Sequence, residues 1–116
     1  MNKNNNKIEA LYSQDKQTLT IKVTGQFTFS RVSEFRKSYE TKPAVYYNLD
    51  LAGVTKFDSA GLGCILVMFE HIKDNTQQAC LNICNADNSI LEIFECAKVS
   101  DLLNDIQFGT IEPVLT

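Results

Sequence analysis

Tryptophan is absent from this chain, histidine occurs once and proline twice. With a single histidine and no Cys-x-x-Cys pair, the usual zinc signatures cannot be assembled, so no metal is expected. Basic residues stand singly, and a net charge of −3 runs against a surface built for nucleic acid or anionic lipid. The longest apolar run, Cys64 to Phe69, is far short of the ~20 residues that cross a bilayer. The opening MNKNNNK has no apolar segment of the secretory kind. A cytoplasmic protein without direct membrane insertion is therefore expected. Two chemical signatures are missing as well. No G-x-x-x-x-G-K-[ST] loop cradles a nucleotide, and no G-x-S-x-G elbow presents a hydrolase serine.

Four cysteines are present: Cys64, Cys80, Cys84 and Cys96. Cys80 and Cys84 fall in ACLNIC, which reads as a strand and would set them ~13 Å apart. Bridged Cα atoms lie within ~7 Å. Unpaired cysteines acting as small core residues in a reducing compartment are expected.

What the chain does have is the balance of one soluble domain, 44% hydrophobic and 22% charged over 116 residues. Residues 1–7 read as a polar, disordered tail and 8–110 as the domain. Ile8 to Tyr12 reads as a first strand. In TLTIKVTG, Leu19, Ile21 and Val23 alternate with Thr20, Lys22 and Thr24, the period of a half-buried strand that Gly25 ends. Ser30 is an N-cap candidate for a helix over Val32 to Tyr39, and Pro43 stops its continuation. AVYYNLDL is a strand that Gly53 breaks. A second helix begins near Ser59, ACLNIC follows as a strand, and Ser89-x-x-Glu92 has the form of a capping box before a third helix. Leu102–Leu103 reads as a turn and Ile106 to Phe108 as a last strand. This order predicts an α/β fold: a mixed sheet of four or five strands with helices packed mainly on one side.

The chemistry-bearing stretch is FDSAGLG, residues 57–63, at the mouth of the second helix. Unpaired N–H groups and the positive end of the helix dipole favour negative charge there. Ser59 either caps the helix, as serine commonly does, or carries chemistry where an anion is welcome. Gly61 and Gly63 would let a visitor approach the backbone. An enzyme is not supported. His71 lies twelve residues along the same helix, about 18 Å from Ser59, and cannot serve it as a base. Asp50 and Asp58 have nothing else converging on them, so no catalytic residue and no cofactor is assigned.

The run VYYNLDLAGVTKFDSAGLGCIL resembles the signature of the STAS domain, the family of sulfate transporter and anti-sigma factor antagonist domains. Asp50-Leu51 matches the end of the signature strand, and Asp58-Ser59-Ala60-Gly61-Leu62-Gly63 matches D-S-[SAT]-G-L-G. VTGQF at 23–27 is similar to the family's second strand and turn. The resemblance implies a bacterial regulator of transcription and signal transduction, an anti-sigma factor antagonist that works by partner switching. Its partner would be a GHKL-type protein that is both serine kinase and anti-sigma factor, bound by the unphosphorylated form and released by the phosphoprotein. A PP2C-type phosphatase would reset it. The implied phosphoacceptor is Ser59, with Asp58, Gly61, Leu62 and Gly63 around it in the contact. Ala60 stands where many members carry a second hydroxyl.

The second helix adds a reading from periodicity. Leu62, Ile65, Leu66, Phe69 and Ile72 form a core stripe at helical spacing, which leaves Cys64, Val67, Met68 and His71 on the flanks or outside. Met68 is accordingly expected at a partner contact. Two other tasks stay open at this stage: a subunit of a lipid or anion transport assembly, and a small-ligand domain using the helix mouth as an anion site.

Overall fold

Alternation of apolar and polar residues builds the sheet. The computed structural model describes residues 6–75, 79–97 and 106–109. Strands β1 (Lys7–Tyr12), β2 (Thr18–Phe27), β3 (Tyr46–Phe57), β4 (Cys80–Cys84) and β5 (Ile106–Gly109) lie side by side in that order. β1 pairs antiparallel with β2 through a hairpin, and every other pairing is parallel. The hairpin turn places Lys16 at φ 60°, and Asp15 ties it by accepting from Ser13 Oγ at 2.7 Å and from the Gln17 amide at 3.0 Å. Those bonds hold the Asp15 carboxyl below its ordinary range.

Helices α1 (Val32–Tyr39), α2 (Ser59–Asn75) and α3 (Asn88–Cys96) fill the three parallel crossovers. Each crossover steps the same way across the sheet, and right-handed connections of that kind put all three helices on one face. Leu19, Ile21, Val23 and Phe27 from β2 meet Tyr47, Leu49 and Leu51 from β3 and Leu81 and Ile83 from β4 in one core. Phe35, Ile65, Met68, Ile90 and Phe94 close it from the helices. The α/β fold expected from the sequence is the one observed.

Local differences have physical reasons. Gly25 does not end β2, nor does Gly53 break β3; both sit inside strands whose pairing runs on to Phe27 opposite Phe57. The register slips between Lys22 and Thr24 and again between Gly25 and Gln26, so the glycines mark bulges. Gly25 adopts φ +88°, and a side chain there would run into Asn6, whose Oδ1 accepts from the Gln26 amide at 2.8 Å. Ser30 caps nothing. It lies within a 3-10 turn, Phe29–Arg31, that leads into α1. The α3 cap is Asp87, which accepts from the Ile90 amide at 3.0 Å, while Ser89 Oγ donates to that carboxylate at 2.7 Å. The sequence pattern was offset by two residues, because Asp and Ser both suit the cap. The Leu102–Leu103 turn lies outside the described residues, as do residues 1–5 of the polar tail; Asn6 and Lys7, expected in that tail, instead hold Gln26 and open β1.

Candidate functional site at the start of the second helix

β3 delivers the chain to the mouth of α2 along a line of packed rings. Phe57 lies edge-on to Phe27 with centroids 5.7 Å apart and stacks on Phe94 at 6.3 Å and 8°. Asp58 follows. Its Oδ1 accepts from the amides of Ala60 at 3.0 Å and Gly61 at 3.1 Å, and its carbonyl takes the first helical bond, from Leu62 at 3.1 Å. Asp58 is therefore the N-cap. Ser59 is the first residue of the helix and is exposed.

This arrangement changes the sequence reading in three ways. Ser59 does not cap the helix, so its hydroxyl is not committed to the backbone. The N–H groups that were to welcome an anion are partly taken by the protein's own carboxylate, which leaves fewer donors for a small-ligand anion site. Gly61 clears no space for a visitor. A Cβ on it would collide with the Phe27 carbonyl and lie 2.8 Å from a Phe57 ring carbon, so this glycine exists for close packing of helix on sheet. Gly63 is different, since a Cβ there would meet nothing within 4 Å.

Around α2 the buried side comprises Gly61, Leu62, Cys64, Ile65, Met68, Phe69 and Ile72. Met68 is fully buried, which corrects its assignment to a partner contact. At 100° per residue the core stripe centres nearer Met68 than expected, and Leu66 is the residue pushed to half-burial. Leu62, also expected in the contact, is likewise a core side chain, at 5% exposure. The outward stripe runs Ser59, Gly63, Val67, Glu70, with Val67 52% exposed. Spacings of four, four and three residues made that stripe readable in the sequence, but the unbroken apolar run hid it.

The structure brings Ser59 and Asp58 together with one feature that the sequence reading missed. Between α1 and α2 runs a largely apolar groove of about 300 Å³, lined by Val32, Phe35, Arg36 and Tyr39 on one wall and Ala60, Gly63, Cys64 and Val67 on the other. Phe29, at 80% exposure, lies in the 3-10 turn that precedes α1 in the chain. No periodic signal could flag Phe29, because it lies in a short turn between elements. Asp50, by contrast, is structural. Its Oδ1 accepts from Asn85 Nδ2 at 2.9 Å and from the Ala52 amide at 3.0 Å, tying β3 to the loop after β4, where Asn85 has φ 62°.

Of the cysteines, only Cys64 reaches the groove, as part of its lining. No disulfide joins any of the four, all of which lie among the described residues. Burial, then the neighbouring Asp58, raises the Cys64 thiol, and burial with Asp50 nearby pushes Cys84 up to about 11. Only these two are core residues; Cys80 and Cys96 are exposed, contrary to the expectation for all four. His71 lies on the rim, edge-on to Tyr39 at 5.3 Å. Among the described residues no three His, Cys, Asp or Glu side chains gather as a metal site, and no helix is long and apolar enough to cross a membrane.

The family model described as "Mlab, STAS domain" matches residues 10–104. A STAS-domain containing protein of Pseudomonas aeruginosa (strain UCBPP-PA14) is 35% identical over 82 residues, 69% of this chain and 81% of that protein. The chain belongs to the STAS-domain family. Among solved structures, an anti-sigma-factor antagonist (STAS) domain protein from Planctomyces limnophilus superposes with TM-score 0.69 at 16% identity, covering 90% of this chain and 91% of that one. The anti-sigma factor antagonist SpoIIAA in its unphosphorylated form gives 0.67 at 11%, covering 92% and 90%. The phosphorylated form of Bacillus SpoIIAA gives 0.64 at 12%, covering 90% and 92%. At those identities the likeness establishes a shared fold.

Proposed function

We propose that this protein is a non-enzymatic, cytoplasmic anti-sigma factor antagonist whose partner contact is switched by phosphate on Ser59. The observation that carries the proposal is the position of Ser59: exposed, first in its helix, with the capping duty discharged by Asp58. A hydroxyl so placed is modified without dismantling the helix. Phosphate adds about −1.5 to −2 charges beside an existing carboxylate whose bonds already occupy the nearest amides, so the new charge faces outward. In its unphosphorylated form the face bearing Ser59, Gly63 and Val67 docks on a GHKL-type protein that is both anti-sigma factor and serine kinase. Phosphorylation breaks the contact by charge and desolvation, and a PP2C-type phosphatase restores it. A structural neighbour, SpoIIAA, is known in both phosphorylation states, which supports the reading.

The experiment is intact-mass analysis of the protein from its native host, beside the Ser59→Ala variant. One phosphate on the wild type and none on the variant is the expected result. Phosphate that persists in Ser59→Ala, or a wild type never modified while its kinase is active, would refute the assignment. A second reading has one observation in its favour, because the matching family model is described by Mlab and not by an anti-sigma factor antagonist. On that reading the domain is a subunit of a lipid or anion transport assembly, and it would copurify with a permease irrespective of Ser59.

A further inference from the structure

We infer that the groove between α1 and α2 is a homodimer interface, in which Phe29 of one protomer enters the groove of its partner. The groove, about 300 Å³, is mainly apolar, with Arg36 the one charged residue in its lining, and is not filled by any described part of the chain. Its lining includes Gly63. Glycine weakens a helix relative to alanine, and nothing within 4 Å of a Cβ requires its absence here. The close approach that Gly63 permits is therefore to something outside the protomer.

Shape points to a second copy. Phe29 is 80% exposed, the largest exposure among the big hydrophobic side chains described. It precedes Val32 by three residues through a 3-10 turn, and residues three apart in such a turn lie on one side. A protruding aromatic thus stands beside an apolar recess on the same face, with Val32 and Val67 exposed by 41% and 52% around them. A two-fold axis between them seats each Phe29 in the other copy's groove, the self-complementary geometry of an isologous contact.

Charge agrees with this. The solvent side of α1 carries Glu34, Arg36, Lys37 and Glu40, two of each sign. A partner of one sign would gain at one pair and lose at the other. An antiparallel copy of α1 offers Glu40 to Arg36 and the reverse. The Arg36–Glu40 pair within the helix, at 3.0 Å and exposed, is weak enough to exchange. Because Ala60 lines the groove next to Ser59, the dimer would shade the face assigned above to partner binding.

Sedimentation velocity on the full chain, without any kinase, tests this independently of phosphorylation. A reversible dimer is expected as concentration rises through the micromolar range. Phe29→Ser should raise the dissociation constant at least about thirtyfold, as loss of a central aromatic anchor does. Gly63→Leu, which fills the groove, should leave a monomer that melts at a higher temperature. Lys22→Ser, on the uncovered sheet face, should change nothing. A wild type that stays monomeric overturns the inference, even if the groove then binds laurate or a partner's helix. So does a dimer that neither Phe29→Ser nor Gly63→Leu weakens.

Discussion

The carboxylate of Asp58 lies 3.1 Å from the amide of Gly61, whose missing Cβ is replaced by the carbonyl of Phe27. One residue holds the first turn from above and the other lets it settle on the sheet from below. Ser59, between them in sequence, is tied by neither task. Asp58→Ala should therefore destabilise the protein by ~1 kcal/mol, the usual cost of a lost cap, while Ser59→Ala stays within about 0.5 kcal/mol of wild type. Urea unfolding of both variants checks this. A larger loss from Ser59→Ala than from Asp58→Ala would mean that the serine is the structural residue.

The two glycines of the motif should part company. Gly61→Ala forces a methyl against backbone and ring, an overpacking that costs about 1–3 kcal/mol. Gly63→Ala removes a helix-weakening residue at an open position and should stabilise by about 0.8–1 kcal/mol. Thermal melts of the pair, with their opposite signs, are the measurement.

Methionine and valine, neighbours in sequence, face opposite ways. Met68→Ala should cost about 2–5 kcal/mol, as for a buried side chain, and Met68→Asp should not fold. Val67→Asp should fold normally and weaken partner binding. Circular dichroism followed by titration of the partner distinguishes the two residues.

On the switch itself, phosphate at Ser59 should weaken the partner contact about a hundredfold without altering the circular dichroism spectrum. Ser59→Asp should weaken it less, having one charge and fewer acceptors. Equal affinities for the Ala and Asp variants would count against a charge switch.

Thiol titration at neutral pH should find Cys80 and Cys96 accessible, and Cys64 and Cys84 silent until the protein unfolds. Burial keeps those two thiols protonated, Cys84 up to about 11, and it is the thiolate that reacts. Four equivalents released at once from the native protein would show the core to be open.

Acid should act on the α3 cap in a defined direction. Hydrogen bonds from Ser89 and the Ile90 amide hold the Asp87 carboxyl below its ordinary range. Its contribution to stability is thus present above the unfolded-state value and is lost as pH falls through the lower folded one. Asp87→Asn should flatten that part of the stability profile by lowering stability at neutral pH, where the charged carboxylate contributes, and leave the acid end nearly unchanged.

By itself, the sequence determined the order of elements and the place of the motif. Leu19, Ile21 and Val23 announce a strand because the pleat has a period of two, and FDSAGLG stands at a helix mouth because caps and glycines have local causes. Those effects act within a few residues and are legible in one dimension. The tertiary structure decided what the motif residues do. Asp58 takes the cap because the end of β3 sets its carboxylate within reach of the Ala60 and Gly61 amides. Gly61 is a packing residue only because Phe27, distant in sequence, occupies the space beside it. Met68 went inward and Val67 outward because the sheet selects which arc of an almost wholly apolar helix is buried. The groove beside Phe29 exists only where two helices from separate crossovers meet. Contacts between residues far apart in the chain settle such choices, and no local spacing records them.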